Sequence, residues 1–156
     1  MITDEQYQRL LAFRIALRRF NQWSQEEAES HGLTHAQHQL LLAIRGHVGA
    51  EGPTIGEVAD YLLVKHHTAT GLVDRAQETG LVERVRDAKD SRRVRLRLSD
   101  KGSEIISALT AVHLEEIHGL TPLLDLLDVD RSISPKGRSL ADLSLGPLGR
   151  APATGG

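Results

Sequence analysis

The chain has 156 residues, 40% of them hydrophobic and 26% charged, with a formal net charge of −2. That length suits one domain able to bury its own core, and the absence of cysteine excludes a disulfide framework, a thiolate zinc site and a thiol nucleophile or redox sensor. No apolar run approaches the ~18 residues of a membrane span, and Met1-Ile2-Thr3-Asp4-Glu5 shows no basic segment leading into an apolar one, so the expected location is the cytoplasm.

Taken in chain order, Thr3 with Gln6 has the spacing of a capping box and opens a long helix. Along it Tyr7, Leu10, Leu11, Phe13, Leu17, Phe20 and Trp23 recur at steps of three and four as one apolar stripe, and Gly32 is placed to end it in a left-handed conformation. Thr34 with Gln37 opens a second helix carrying Leu40, Leu41 and Ile44, and Thr54 with Glu57 opens a short third one carrying Ile55, Val58, Ala59 and Leu62. A fourth helical window runs from His66 to Thr79 and stops at Gly80.

Past Gly80 the period changes to two. Val94-Arg95-Leu96-Arg97-Leu98 alternates apolar and basic residues, Leu81 to Arg86 is its partner, and Asp87-Ala88-Lys89-Asp90-Ser91 is the turn between them, which makes a hairpin. Ser99 then caps a helix with Ile105, Ile106, Leu109, Val112 and Ile117 on one face; Gly119 and Thr121-Pro122 are expected to stop it and begin a short last helix. From Val129 onward 12 of 28 residues are Gly, Pro or Ser, so residues 1–128 are read as the folded domain and 129–156 as a loosely ordered tail.

This order predicts a mainly α fold with a small β-hairpin: a winged helix-turn-helix, whose fourth helix enters the DNA major groove. On that helix Ala69, Leu72, Val73 and Ala76 share one side, which must face the core. His67, Thr70, Gly71 and Asp74 lie opposite, with Arg75 at the flank and Lys65, His66 and Thr68 near the start. Small and hydrogen-bonding residues on an open face suit groove insertion, and Gly71 at the centre permits close approach to base edges.

The hairpin adds charge. Arg84, Arg86, Lys89, Arg92, Arg93, Arg95 and Arg97 stand against only Asp87 and Asp90, a local balance of +5 in 14 residues, which reads as phosphate contacts with a cation free to enter the minor groove. Either Asp87 or Asp90 is placed to hold Arg92 in one geometry. The total of −2 therefore hides a basic wing: the tail from Val129 carries +2 and the remainder −9. With five aromatic residues in the chain, single-strand binding by base stacking is not expected.

The stretches Gly71-Leu72-Val73-Asp74-Arg75, Gly80-Leu81-Val82-Glu83-Arg84, Asp87-Ala88-Lys89-Asp90-Ser91-Arg92-Arg93-Val94 and Leu98-Ser99-Asp100-Lys101-Gly102 resemble, in order and spacing, the recognition helix, wing and fifth-helix start of the multiple-antibiotic-resistance regulator (MarR) family. The resemblance, from about Leu33 to Gly102, implies that Lys65 to Arg75 read the major groove, that Arg92 is the wing arginine, and that a homodimer built from the first and last helices binds a pseudo-palindromic double-stranded operator. Lys65 stands where that family often has a helix-capping serine. The resemblance also implies a small aromatic or phenolic effector, with Phe20, Trp23, His38, Arg45 and His113 as pocket candidates.

Eight histidines raise a metal question. His35, His38 and His113, with Glu115, Glu116 and His118 nearby in sequence, make a zinc-responsive variant of the same fold conceivable, but His113 and His118 are five apart, about 140° around a helix, and no metal or cofactor is expected. No nucleophile elbow, phosphate loop or His-Glu-x-x-His occurs, so an enzyme is not expected. The alternative from another class is a winged helix that recruits a protein partner through its basic hairpin.

Overall fold

The computed structural model describes residues 1–125, with side chains to Thr121. The expected domain limit at 128 and the tail 129–156 lie outside the described residues. The elements are α1 (Asp4–Ser30), α2 (His35–Arg45), α3 (Ile55–Leu62), α4 (His66–Glu78), β1 (Val82–Arg86), β2 (Val94–Leu98) and α5 (Asp100–Asp125). Among the described residues no helix is long and apolar enough to cross a membrane.

The first three helices begin alike. The hydroxyls of Thr3, Thr34 and Thr54 accept from the backbone N–H of Gln6, Gln37 and Glu57, whose side chains reach back to the cap N–H; each cap is worth about 1 kcal/mol. Gly32 (φ 79°) and Gly80 (φ 74°) follow the ends of α1 and α4 in the left-handed region. α3 ends without glycine: Leu63 itself takes φ 54°, and its side chain is fully in solvent. That conformation costs a non-glycine residue about 1 kcal/mol and makes the tight turn that aims α4.

α5 runs unbroken through Gly119 and Pro122, so the stop at Gly119 and the separate last helix expected from the sequence are not found. Gly119 does not take a positive φ, and a glycine that keeps helical angles weakens a helix without ending it.

The core gathers around α2. Leu40, Leu41 and Ile44 meet Val58 of α3, Leu72, Val73 and Ala76 of α4, Val82 and Leu96 of the hairpin, Ile106 and Leu109 of α5 and Ala28 of α1. α1 gives little else to it: only Ser24 and Ala28 are buried, while Tyr7, Leu10, Leu11, Ile15 and Leu17 stay exposed, as do Leu114 and Ile117 of α5. An apolar stripe of that length left open on a helix is a surface for another molecule.

β1 and β2 are antiparallel, with Arg84 opposite Leu96 and Arg86 opposite Val94. The loop before α3 adds a third edge, where Leu96 donates its N–H to Pro53 O at 2.8 Å. Gly52 is required there, since a Cβ on it would lie 1.8 Å from Leu96 O. The start of α5 is seated in the same way: Ser99 Oγ donates to Gly80 O at 2.6 Å and accepts from Gly102 N at 3.0 Å, and a Cβ on Gly102 would stand 2.3 Å from Leu81 O. Gly52→Ala is expected to lower the thermal midpoint by several degrees, as a loss of ~1 kcal/mol or more does in a small domain. Gly56→Ala, which meets only Thr54 Oγ1 at 3.9 Å, should leave it equal or higher when both are melted side by side.

Candidate nucleic-acid interface

α4 is held by one face. Ala69, Leu72, Val73 and Ala76 are buried, while Lys65, His66, His67, Thr68, Asp74 and Arg75 are exposed and Thr70 and Gly71 half-buried. A Cβ on Gly71 would meet nothing nearer than Arg75 Nη1 at 3.6 Å, so nothing in the fold demands glycine there and its bareness is available to a ligand. Lys65 sits at the N-cap and makes no side-chain cap bond. The first N–H groups of α4 therefore stay open beside Lys65, His66 and His67, an arrangement that favours an anion. Thr70 Oγ1 donates to His66 O at 3.0 Å, which commits its proton to its own helix.

The wing is organised by Asp87. Its carboxylate is almost wholly buried; Oδ1 accepts from the backbone N–H of Lys89 (2.8 Å) and Asp90 (3.0 Å), and Oδ2 from Arg95 Nε (2.7 Å). The bond from Arg95, seconded by those two backbone donors, holds the Asp87 carboxyl well below the usual carboxylate range. Arg95 also reaches Glu57 of α3 (3.5 Å), Glu51 (3.8 Å) and Gly52 O (3.4 Å). The turn is thus pinned to the loop before α3.

This differs from the expected pairing with Arg92. Asp87 takes Arg95 instead, and Asp90 accepts from the backbone N–H of Arg92 at 3.0 Å, not from its guanidinium. Arg95 reaches Asp87 because Val85 and Arg95 face each other in the register, on the side toward the loop. Arg95, expected to touch DNA, is therefore bound inside the protein. Arg86, Lys89, Arg92 and Arg93 are exposed and, among the described residues, lie in none of the ion pairs.

Arg84 and Asp74, expected to face DNA separately, hold each other. Arg84 Nη2 donates to Asp74 Oδ1 at 2.5 Å, and its Nη1 donates to Gln77 Oε1. Gln77 is not conspicuous in the sequence, although it lies three residues beyond Asp74 and so on the same side of the helix. Glu57 is equally inconspicuous, its capping role masking its reach to Arg95.

Of the effector candidates, four converge where α1, α2 and α5 meet. Ring centroids are 5.7 Å apart for Phe20 and Trp23, 4.8 Å for Trp23 and His113, and 4.7 Å for His113 and His38. His113 Nδ1 donates to Leu109 O (2.7 Å), which leaves Nε2 of the neutral ring to accept from Ser24 Oγ (2.7 Å). A groove of about 580 Å³ adjoins them, lined by Ile15, Arg19, Phe20, Trp23, Glu116 and Leu120 among others. Arg45 does not join this group. It lies exposed at the end of α2 and lines a different cleft, behind the wing, with His47, Arg86 and Arg97. No three His, Asp or Glu side chains among the described residues are arranged to hold a metal ion.

His38 is 2% exposed with Nδ1 unpartnered. Burial first, then His113, His35 and His31, push its pKa down from 6.5 to about 4. The unfolded chain therefore binds this proton more tightly, so the stability is whole above about pH 6.5 and falls as the pH drops toward 4, by on the order of 3 kcal/mol in all. Urea midpoints at about pH 7 and pH 5 should differ clearly in the parent and much less in His38→Phe; equal losses in both would remove His38 as the cause.

Residues 31–93 match the model of the MarR family. Over 91 residues the chain is 30% identical to the transcriptional activatory protein BadR of Rhodopseudomonas palustris, covering 58% of this chain and 52% of that protein. It spans about half the length of the curated relatives it matches first. A MarR family protein from Bacillus stearothermophilus superposes with a TM-score of 0.65 at 26% identity, over 78% of this chain and 84% of that one. MepR of Staphylococcus aureus, in a structure with DNA, does so at 0.62 and 22% identity, over 71% and 78%. The matched residues are those that build the helix-turn-helix and the wing, and over them the chain is similar to the MarR family.

Proposed function

We propose that this chain is a sequence-specific, double-stranded-DNA-binding transcriptional regulator of the cytoplasm, working as a homodimer. The observation that carries the reading is the open face of α4, small and hydrogen-bonding around Gly71, set beside a wing whose Arg86, Lys89, Arg92 and Arg93 point into solvent. Lys65, His66, His67, Thr68, Thr70, Gly71 and Arg75 are assigned to the major groove, and the wing cations to phosphates and the minor groove. Relatives carry names of both signs, an activatory protein and the repressor MdtR of Bacillus subtilis; blocking a promoter by occupancy is the simpler action for this chain.

The dimer is assigned to the exposed stripe of α1, from Tyr7 to Leu17, with Leu114 and Ile117 of α5. Two recognition helices then sit about one DNA turn apart, ~34 Å, on a pseudo-palindrome. A small aromatic or phenolic acid is the proposed effector. The groove beside Phe20 and Trp23 offers it flat apolar walls and Arg19 a cation, and it lies between the helices whose angle sets that spacing. The reading is of a regulator, not an enzyme: the hydroxyl of buried Ser24 and the half-buried imidazole of His113 are a structural pair, the second ring nitrogen being spent on a carbonyl.

The test is fluorescence anisotropy on a duplex selected by the protein from random sequence. Lys89→Ala with Arg92→Ala should weaken binding at about 150 mM salt and flatten the salt dependence, by ~0.9 in log–log slope for each phosphate no longer neutralised; unchanged affinity and slope would contradict the wing assignment. Gly71→Leu should keep the melting temperature and bind the duplex at least ~10-fold more weakly, as a side chain wedged against base edges requires. Trp23 is the only tryptophan, so a planar aromatic acid that enters the groove should quench its emission saturably, and less so in Arg19→Ala.

A further inference from the structure

The face that α4 turns to DNA carries a carboxylate near its middle, Asp74, half exposed. An unpaired carboxylate brought between two phosphate backbones is repelled by both. The chain answers this with Arg84. In the β1–β2 register Arg84 lies opposite Leu96 and two residues from Val82, on the face of the hairpin that packs inward. From there it spends both terminal nitrogens on α4, one on Asp74 Oδ1 and one on Gln77 Oε1, and its side chain is only 28% exposed. The wing cations Arg86, Lys89, Arg92 and Arg93 have no such attachment among the described residues.

We infer that Arg84 is a positioning residue of the DNA-reading head and not one of its phosphate contacts: it neutralises Asp74 and fastens β1 to α4, so that wing and recognition helix approach the duplex as one body. Asp74 is correspondingly not a base reader. Glu78, one turn further on, lies at the C-terminal end of α4, away from the N-terminal part that enters the groove first. The inference rests on the DNA-binding reading and makes a prediction that reading alone does not, because it separates a weaker affinity from a smaller release of counterions.

A double-mutant cycle decides it. Parent, Arg84→Gln, Asp74→Asn and the pair together are titrated with the same selected duplex over a range of salt, with the thermal midpoint of each recorded. Arg84→Gln should bind at least ~10-fold more weakly with the parent's salt slope, and the pair together should recover to within ~3-fold of the parent, since removing the stranded carboxylate removes the repulsion. A phosphate-binding arginine would behave otherwise. The Arg84→Gln slope would fall by ~0.9, or the double variant would bind no better than Arg84→Gln, and either result overturns the assignment. A parent that binds no duplex in a salt-dependent way would instead sink the DNA reading and this role with it, a result easily told from the other two.

Discussion

The hydrogen-bonded pair of Asp87 and Arg95 is the constraint on which the reading head depends. A buried carboxylate is tolerable only when its lone pairs are occupied, and here three donors occupy them. Those donors fix the turn of the wing, while Arg95 carries the constraint on to Glu57, and Glu57 closes the capping box on Thr54 at the start of α3. One side chain thereby ties the hairpin tip to the first turn of the helix-turn-helix. The exposed Lys89, Arg92 and Arg93 are presented on a stiff turn, with less ordering entropy left to lose on meeting a duplex.

The molecule divides into this head and a helical body, and close backbone contacts at glycine both lock the head together and join it to α5. Gly52 lies against β2 and Gly102 against Leu81. Contacts that leave no room for a Cβ do not slide, so a change in the direction of α5 carries the hairpin with it. The aromatic cluster of Phe20, Trp23 and His113 bridges α1 to the same α5. In the proposed dimer, a ligand wedged beside it would need to move one helix only slightly for the recognition helix to shift against its partner.

Much of this is legible in the sequence because it is written in local rules. Three Thr-x-x-Gln/Glu boxes, two glycines in left-handed positions and the change of period after Gly80 set every element up to Leu98, and the buried side of α4 follows from its spacing. The misses are of another kind. Leu63 bends the turn where no glycine announces it; Gly119 and Pro122 look like punctuation but lie inside a helix that runs on through both. The pairings of Arg84 with Asp74 and of Arg95 with Asp87 depend on which strand residues face each other, and pairing register is not visible until both strands are placed. A run of arginines looks uniform in sequence. The fold sorts it into those that hold the wing and those left for a ligand.

The central claim is that two α4 helices with their wings lie on one duplex. Hydroxyl-radical footprinting of the full chain on its selected site tests it most directly. The account predicts two protected patches about one helical turn, ~10 base pairs, apart, flanked by minor-groove protection where the wings reach. A single patch, or uniform protection that no sequence localises, would contradict it.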